Sequence, residues 1–125
     1  MALLAAGCRS RTELTPEQVA AYSRQIVFSN YRLSAAESLV QQTIYHIDAV
    51  VKNGTDRPIA VLEAKAVFRD VNRQVVLREF VRIVRAYEAP LAPGQSRKFR
   101  MAFENIPVAW NHVAPELEIT RLVVE

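Results

Sequence analysis

From about Gln25 to the carboxyl end the chain alternates apolar and polar residues with a period of two, the spacing of strands that bury one face. Residues 26–33 predict a first strand, closed by Ser34-Ala35-Ala36-Glu37. Residues 43–52 predict a second, with Tyr45, Ile47, Ala49 and Val51 on one face and His46 and Asp48 on the other. Asn53-Gly54-Thr55-Asp56 breaks it and Pro58 delays re-entry, because Asn and Gly accept turn conformations and Pro offers no N–H to a ladder. Residues 59–70 give a long third strand in which Ala60, Leu62, Ala64, Ala66 and Phe68 share one face while Glu63, Lys65 and Arg69 share the other. A helix competes there, since Ala, Leu, Glu and Lys are helix formers, but the alternation of charge with apolar residues selects the strand.

Val71-Asn72-Arg73-Gln74 then reads as a hairpin turn into residues 75–85, a stretch rich in β-branched side chains. Pro90, Pro93 and Gly94 make the next break, and residues 97–103 alternate Phe99, Met101 and Phe103 against Lys98, Arg100 and Ala102. Pro107 and Pro115 bracket a loop holding Trp110, Asn111 and His112, and residues 117–124 form the last strand. Six or so strands joined by turns, with no helix of crossover length between them, predict an all-β fold: an immunoglobulin-like antiparallel β-sandwich.

Ahead of the strands, Thr15-Pro16-Glu17-Gln18 carries the signals of a helix start. Thr15 can cap, Pro16 suits the first helical position, and Gln18 completes a capping box. The chain therefore divides into a tail over residues 1–14, a short helix over 15–24 and a sandwich over 25–125. Half of the 125 residues are apolar and 23% are charged, an ordinary globular balance in a length suited to one domain. Such a chain buries enough surface to fold without a disulfide or a metal.

The net charge of +3 arises from thirteen arginines and three lysines against thirteen acidic residues. No five or six like charges run together, which argues against a dedicated nucleic-acid binder and against a polybasic tail for anionic lipid. A single cysteine, Cys8, rules out an internal disulfide. His46 and His112 lie far apart without a cysteine partner, so no metal or other cofactor is predicted. The small residues of Leu4-Ala5-Ala6-Gly7 before Cys8 are similar to the end of a bacterial lipoprotein signal. In that reading Cys8 is lipidated and residues 9–14 form a tether; otherwise it is a free thiol in the tail.

Recognisable catalytic motifs are missing. The three glycines, Gly7, Gly54 and Gly94, are not grouped as a phosphate loop requires, and no Gly-x-Ser-x-Gly occurs. His46 and Asp48 share a strand face and could orient a general base, although a solvated polar pair is the commoner meaning. Asn53-Gly54-Thr55 fits a glycosylation acceptor and is better read as a turn. Trp110 offers two readings: an exposed binding hot spot, or a plug at one end of the sandwich whose indole N–H reaches a backbone carbonyl. Arg78 and Arg82, four apart on one strand and near Arg69, Arg73 and Arg85, suggest either a basic patch for an acidic partner or edge charges that deter aggregation.

The run Tyr45-His46-Ile47-Asp48-Ala49-Val50-Val51-Lys52-Asn53-Gly54-Thr55 resembles the strand-and-turn signature of a bacterial family related to FxLYD-type domains. Phe68-Arg69-Asp70, the Pro90 to Ser96 segment, and Phe103 leading into Ile106-Pro107-Val108-Ala109-Trp110-Asn111 are similar too, so that the resemblance spans residues 26 to 125. It implies an immunoglobulin-like sandwich that follows a membrane helix or lipoprotein signal on an envelope protein and has no enzyme activity. The sequence thus leads to a non-enzymatic envelope module, tethered outside the cytoplasm, that docks a partner protein by a sheet edge or face. A carrier of a small apolar ligand, held between the sheets or under the Trp110 loop, is the alternative, and the cytoplasm is the alternative location.

Overall fold

The structure, a computed structural model, describes residues 10–37 and 42–125. The chain enters with a two-residue strand β1 (Thr12–Glu13) and turns into helix α1 (Pro16–Ser23). The capping box forms as the sequence predicts: Gln18 N donates to Thr15 Oγ1 over 3.3 Å, and Thr15 N donates to Gln18 Oε1 over 2.9 Å. Six longer strands follow: β2 (Ile26–Glu37), β3 (Thr43–Asn53), β4 (Ile59–Arg69), β5 (Val75–Val84), β6 (Ser96–Glu104) and β7 (Glu116–Val124). They form a four-stranded sheet in the order β1-β7-β4-β5 and a three-stranded sheet in the order β2-β3-β6. Every pairing in both sheets is antiparallel. The fold is an all-β sandwich with a short amino-terminal helix. It shares the four-over-three division of immunoglobulin constant domains, with its own strand order.

Side chains at alternate positions meet between the sheets. Ile47, Val51, Met101 and Phe103 of the small sheet face Leu62, Ala64, Ala66, Phe68 and Leu122 of the large one, all buried. Phe68 and Phe103 meet edge to face at 4.9 Å between centroids, a geometry favoured by the ring quadrupoles. Val19 and Tyr22 of α1 pack into the same core with Leu14 and Ile26. The helix touches both β7 and β2 and thereby closes one side of the sandwich. β4 is the central strand, and its first four residues, Ile59 to Leu62, are all buried. The alternation expected from sequence therefore holds only over residues 62–66, where Glu63 and Lys65 are half-exposed, and fails again at Val67, which is buried.

Two boundaries differ from expectation. Ser34 to Glu37, read as a turn, continue β2 because they pair with His46, Tyr45, Ile44 and Thr43 of β3, and cross-strand pairing outweighs the weak strand preference of Ala and Glu. Residues 12–14 belong to the fold: Thr12 and Glu13 pair with Val124 and Val123, and Leu14 is buried. Polarity concealed this, since the partner is a sheet edge that needs covering more than an apolar surface. The amino-terminal residues 1–9, including Cys8, lie outside the described residues.

One buried polar side chain joins the loops at one end of the sandwich. Asn53, fully buried, donates through Nδ2 to Arg57 O (2.8 Å) and Leu91 O (2.9 Å). Its Oδ1 accepts from Thr55 N (2.9 Å) and Thr55 Oγ1 (2.6 Å). Its backbone N donates to Gln95 O and its backbone O accepts from Gly94 N. Gly94, at φ +78°, supplies the left-handed conformation that this approach requires. Gly54 is held against Gln25, whose carbonyl oxygen a Cβ at position 54 would overlap. Asn53 is the last residue of β3, one residue later than the sequence suggested, and with Nδ2 occupied twice and shielded from solvent it is no glycosylation acceptor.

Replacing Asn53 removes four side-chain hydrogen bonds and leaves the buried Thr55 N without its partner, while Leu91 O keeps Ile59 N and Arg57 O keeps Thr55 Oγ1, a loss on the order of 3 kcal/mol. Asn53→Asp should cost at least as much, because it aims an acceptor at the carbonyls of Arg57 and Leu91. Urea unfolding of Asn53→Ala and Asn53→Asp checks this, and a midpoint unchanged from the parent would refute it.

Candidate functional site

The most exposed large apolar side chains gather on the β4–β5 hairpin and the loop after it: Val71 at 81%, Phe80 at 76% and Tyr87 at 84%; the Trp110 loop adds Val108. Phe80 alone among the five phenylalanines is exposed. The cause is its place in the pleat. Leu77, Val81 and Ile83 point to the core, so Arg78, Phe80 and Arg82 point out. Among the described residues β5 is hydrogen-bonded to β4 only, so alternate N–H and C=O groups along its other side have no strand partner among them.

The basic cluster expected around this hairpin is selective. Arg69 pairs with Glu116 at 3.1 Å and Arg85 with Glu88 at 3.8 Å, while Arg73 sits in the turn at φ 65°. Across the sheet Arg121 bridges Glu13 at 3.0 Å and Glu63 at 3.3 Å. Arg78 and Arg82 make no ion pair among the described residues. Lys65, opposite Phe80 in register, places its ammonium 5.4 Å from the Phe80 ring centroid, within cation–π range. Phe80 thus stands amid three cations. A depression of about 600 Å³, lined by Glu63, Phe80, Val81, Arg82 and Arg85, opens on this strip.

Trp110 is a plug. It is 3% exposed and packs edge to face on Phe68 and Tyr45, at 5.4 and 5.0 Å. Its Nε1–H donates to Val113 O over 3.1 Å. His112 stacks on it at 4.7 Å, and Asn111 N donates to Arg69 O over 2.9 Å, tying the loop to β4. The reading of Trp110 as an exposed contact is therefore corrected: the indole seals the end of the core, and Val108 and Val113 are what the loop exposes.

On the outer face of the small sheet His46 and Asp48 make no bond to each other. Asp48 instead accepts from Arg100 Nε at 2.7 Å and Nη2 at 3.2 Å, and Arg32 lies across from it in register. The Arg100 hydrogen bond, with its charge, holds the Asp48 carboxyl below the usual range and raises Arg100. Arg121 does the same to Glu13. A bulge in β2, with Asn30 at φ 57°, brings Tyr31 to the rim of an open depression of about 710 Å³ beside Arg32, Lys98 and Arg100. Burial pushes the Tyr31 hydroxyl up. No group of three or more His, Cys, Asp or Glu assembles among the described residues, and no helix among them is long and apolar enough to cross a membrane.

Comparison with protein-family models, with curated proteins and with solved structures finds no match for this chain.

Two outcomes follow from these contacts. Trp110→Ala should lower stability by about 3–5 kcal/mol through the cavity it opens, while Trp110→Phe should cost less; calorimetric or urea unfolding reads the difference. Asp48 carries a depressed folded pKa, so its contribution is present above the unfolded value and is lost as pH falls through the folded one. Asp48→Asn should therefore be slightly less stable than the parent at pH 7, with the gap closing below about pH 4. Urea midpoints taken from pH 7 to pH 2.5 test it, and a gap that persists at the acid end would contradict it.

Proposed function

We propose that this chain is a non-enzymatic interaction module of the bacterial cell envelope, a tethered sandwich that docks a partner protein through β5. The observation that carries the reading is Phe80, 76% exposed between two arginines that make no ion pair among the described residues, on a strand that no described residue covers along one side. Aromatic and Arg side chains are the commonest binding hot spots, and an open edge offers a row of backbone hydrogen bonds to an added strand. Val71 and Tyr87, exposed at either end of β5, extend the apolar strip. Trp110 serves this surface from behind, by fixing β4 through Asn111 and Phe68.

The envelope placement draws on the resemblance to FxLYD-related domains and on the residues before Cys8.

The test is in-cell photo-crosslinking from position 80, with position 102 on the other sheet as control. A discrete adduct with one protein from position 80, in the membrane fraction and absent from position 102, is the expected result. Adducts from position 102 alone, or none from position 80, would overturn the docking edge. Intact mass of the chain from native cells reads the tether separately. A chain beginning at Cys8 with added lipid mass supports it, and an unmodified soluble chain would refute it.

A further inference from the structure

We infer that the segment docking on β5 is an extended acidic strand of the pattern acid–x–apolar–x–acid, its carboxylates on Arg78 and Arg82 and its apolar side chain on Phe80. The inference rests on the docking edge proposed above and names the chemistry of its partner.

Charge sets the first constraint. The strip presents Lys65, Arg78 and Arg82 around one aromatic ring; of the carboxylates in register, Glu63, opposite Arg82, is already held by Arg121 at 3.3 Å, and Glu118 faces Lys65 from β7, on the side of β4 away from β5. A strand laid along β5 brings its side chains to within roughly 5 Å of those opposite, where a cation of the partner would be repelled and a carboxylate attracted. Guanidinium groups favour carboxylates because their planar fork matches two oxygens. Arg78 and Arg82 lie roughly 13 Å apart along a strand, the spacing of residues i and i+4 on the added one. The apolar position falls between them. The pattern reads the same in both directions, so either strand orientation satisfies it.

The same charges disfavour a second copy of this chain. Two β5 strands related by a two-fold axis can keep their outer faces aligned over nearly their full length in two registers. Centred on Phe80, the pairing sets Arg78 opposite Arg82 of the other copy. Centred on Glu79, it sets the two Glu79 carboxylates opposite each other. Like charges directly opposite destabilise a sheet pair. The edge is closed to itself and open to a strand of opposite charge.

The test uses the full chain and a fluorescein-labelled peptide, Thr-Glu-Thr-Val-Thr-Glu-Thr, read by fluorescence anisotropy at low salt. Three comparisons accompany it: the peptide with Lys for both Glu, the Glu peptide with N-methylated backbone, and vesicles of phosphatidylglycerol. The Glu peptide should bind at least tenfold more tightly than the Lys peptide and at least tenfold more tightly than its N-methylated form. The preference should reverse in the double variant Arg78→Glu, Arg82→Glu, whose thermal midpoint reports its folding. The peptide comparisons on the parent chain do not depend on that variant. Equal affinity for Glu and Lys peptides, indifference to N-methylation, or capture of the vesicles with no peptide binding would each overturn the proposal. A crosslink from position 80 without charge preference would leave the docking edge standing and remove only its acidic partner; the absence of that crosslink would remove both.

Discussion

The sandwich depends on Asn53, because the β3–β4 and β5–β6 loops meet at this one residue. Its Nδ2 and Oδ1 hold Arg57, Leu91 and Thr55, and its backbone holds Gln95 and Gly94. The next residue, Gly54, donates to Gln25 O at 2.8 Å and so fixes the junction of α1 with β2. Arg57, bound by Asn53 through its carbonyl, donates from Nε to the carbonyl of Glu125 at 2.9 Å. A buried amide is costly unless all its capacity is used, and here each polar atom makes two bonds. Full satisfaction makes the site specific: no neighbouring loop can shift by a residue without orphaning a buried group.

At the other end Trp110 does a related task by different means. It presents a large apolar surface to Phe68 and Tyr45 and spends its single donor on Val113 O. Between these ends runs β4, paired with β7 and β5. The bulges of the β4–β5 ladder fall on β5, where Ile83 and Val76 are the extra residues opposite Leu62–Glu63 and Phe68–Arg69, and they bend the sheet at the two ends of that strand. The edges of the sheets are managed unequally. β1 covers β7 for two residues and α1 continues the cover, whereas β5 has Arg and Glu side chains along an uncovered ladder. Charges of this kind ordinarily deter pairing; the proposed docking rests on their arrangement around an exposed aromatic.

Most of the fold was legible in the sequence, for identifiable reasons. Phe99, Met101 and Phe103 alternate without interruption and are half-buried or buried, and the capping box of Thr15 and Gln18 formed as spaced. The edge status of β5 was not legible, since strand order depends on which loops cross between sheets, and that is set by Asn53 and Trp110 through contacts far apart in sequence. The exposure of Phe80 followed from the same cause. Its alternation with Arg78 and Arg82 was visible, but a phenylalanine at that period could equally have faced the core. Trp110 carried both its readings in sequence, and only the Val113 carbonyl and the Phe68 ring decide between them. His46 and Asp48 did share a face, yet Arg100, 52 residues from Asp48, claims the carboxylate and separates the pair.

The candidate surface is rigid because of what lies behind it. Val81 and Ile83 anchor the inner side of β5 in the core, Asp70 fixes its leading turn by accepting from Asn72 N and Gln74 N, and Glu88 accepts from Arg85 N just after it ends. The backbone of the edge is therefore set in an extended form before any strand arrives. The ordering entropy of docking then falls mainly on the partner and on two arginine side chains. Lys65, resting over Phe80, limits the ring's freedom as well. In the docking proposed above, discrimination rests on side-chain charge, since an edge held in this way offers its hydrogen bonds alike to any strand.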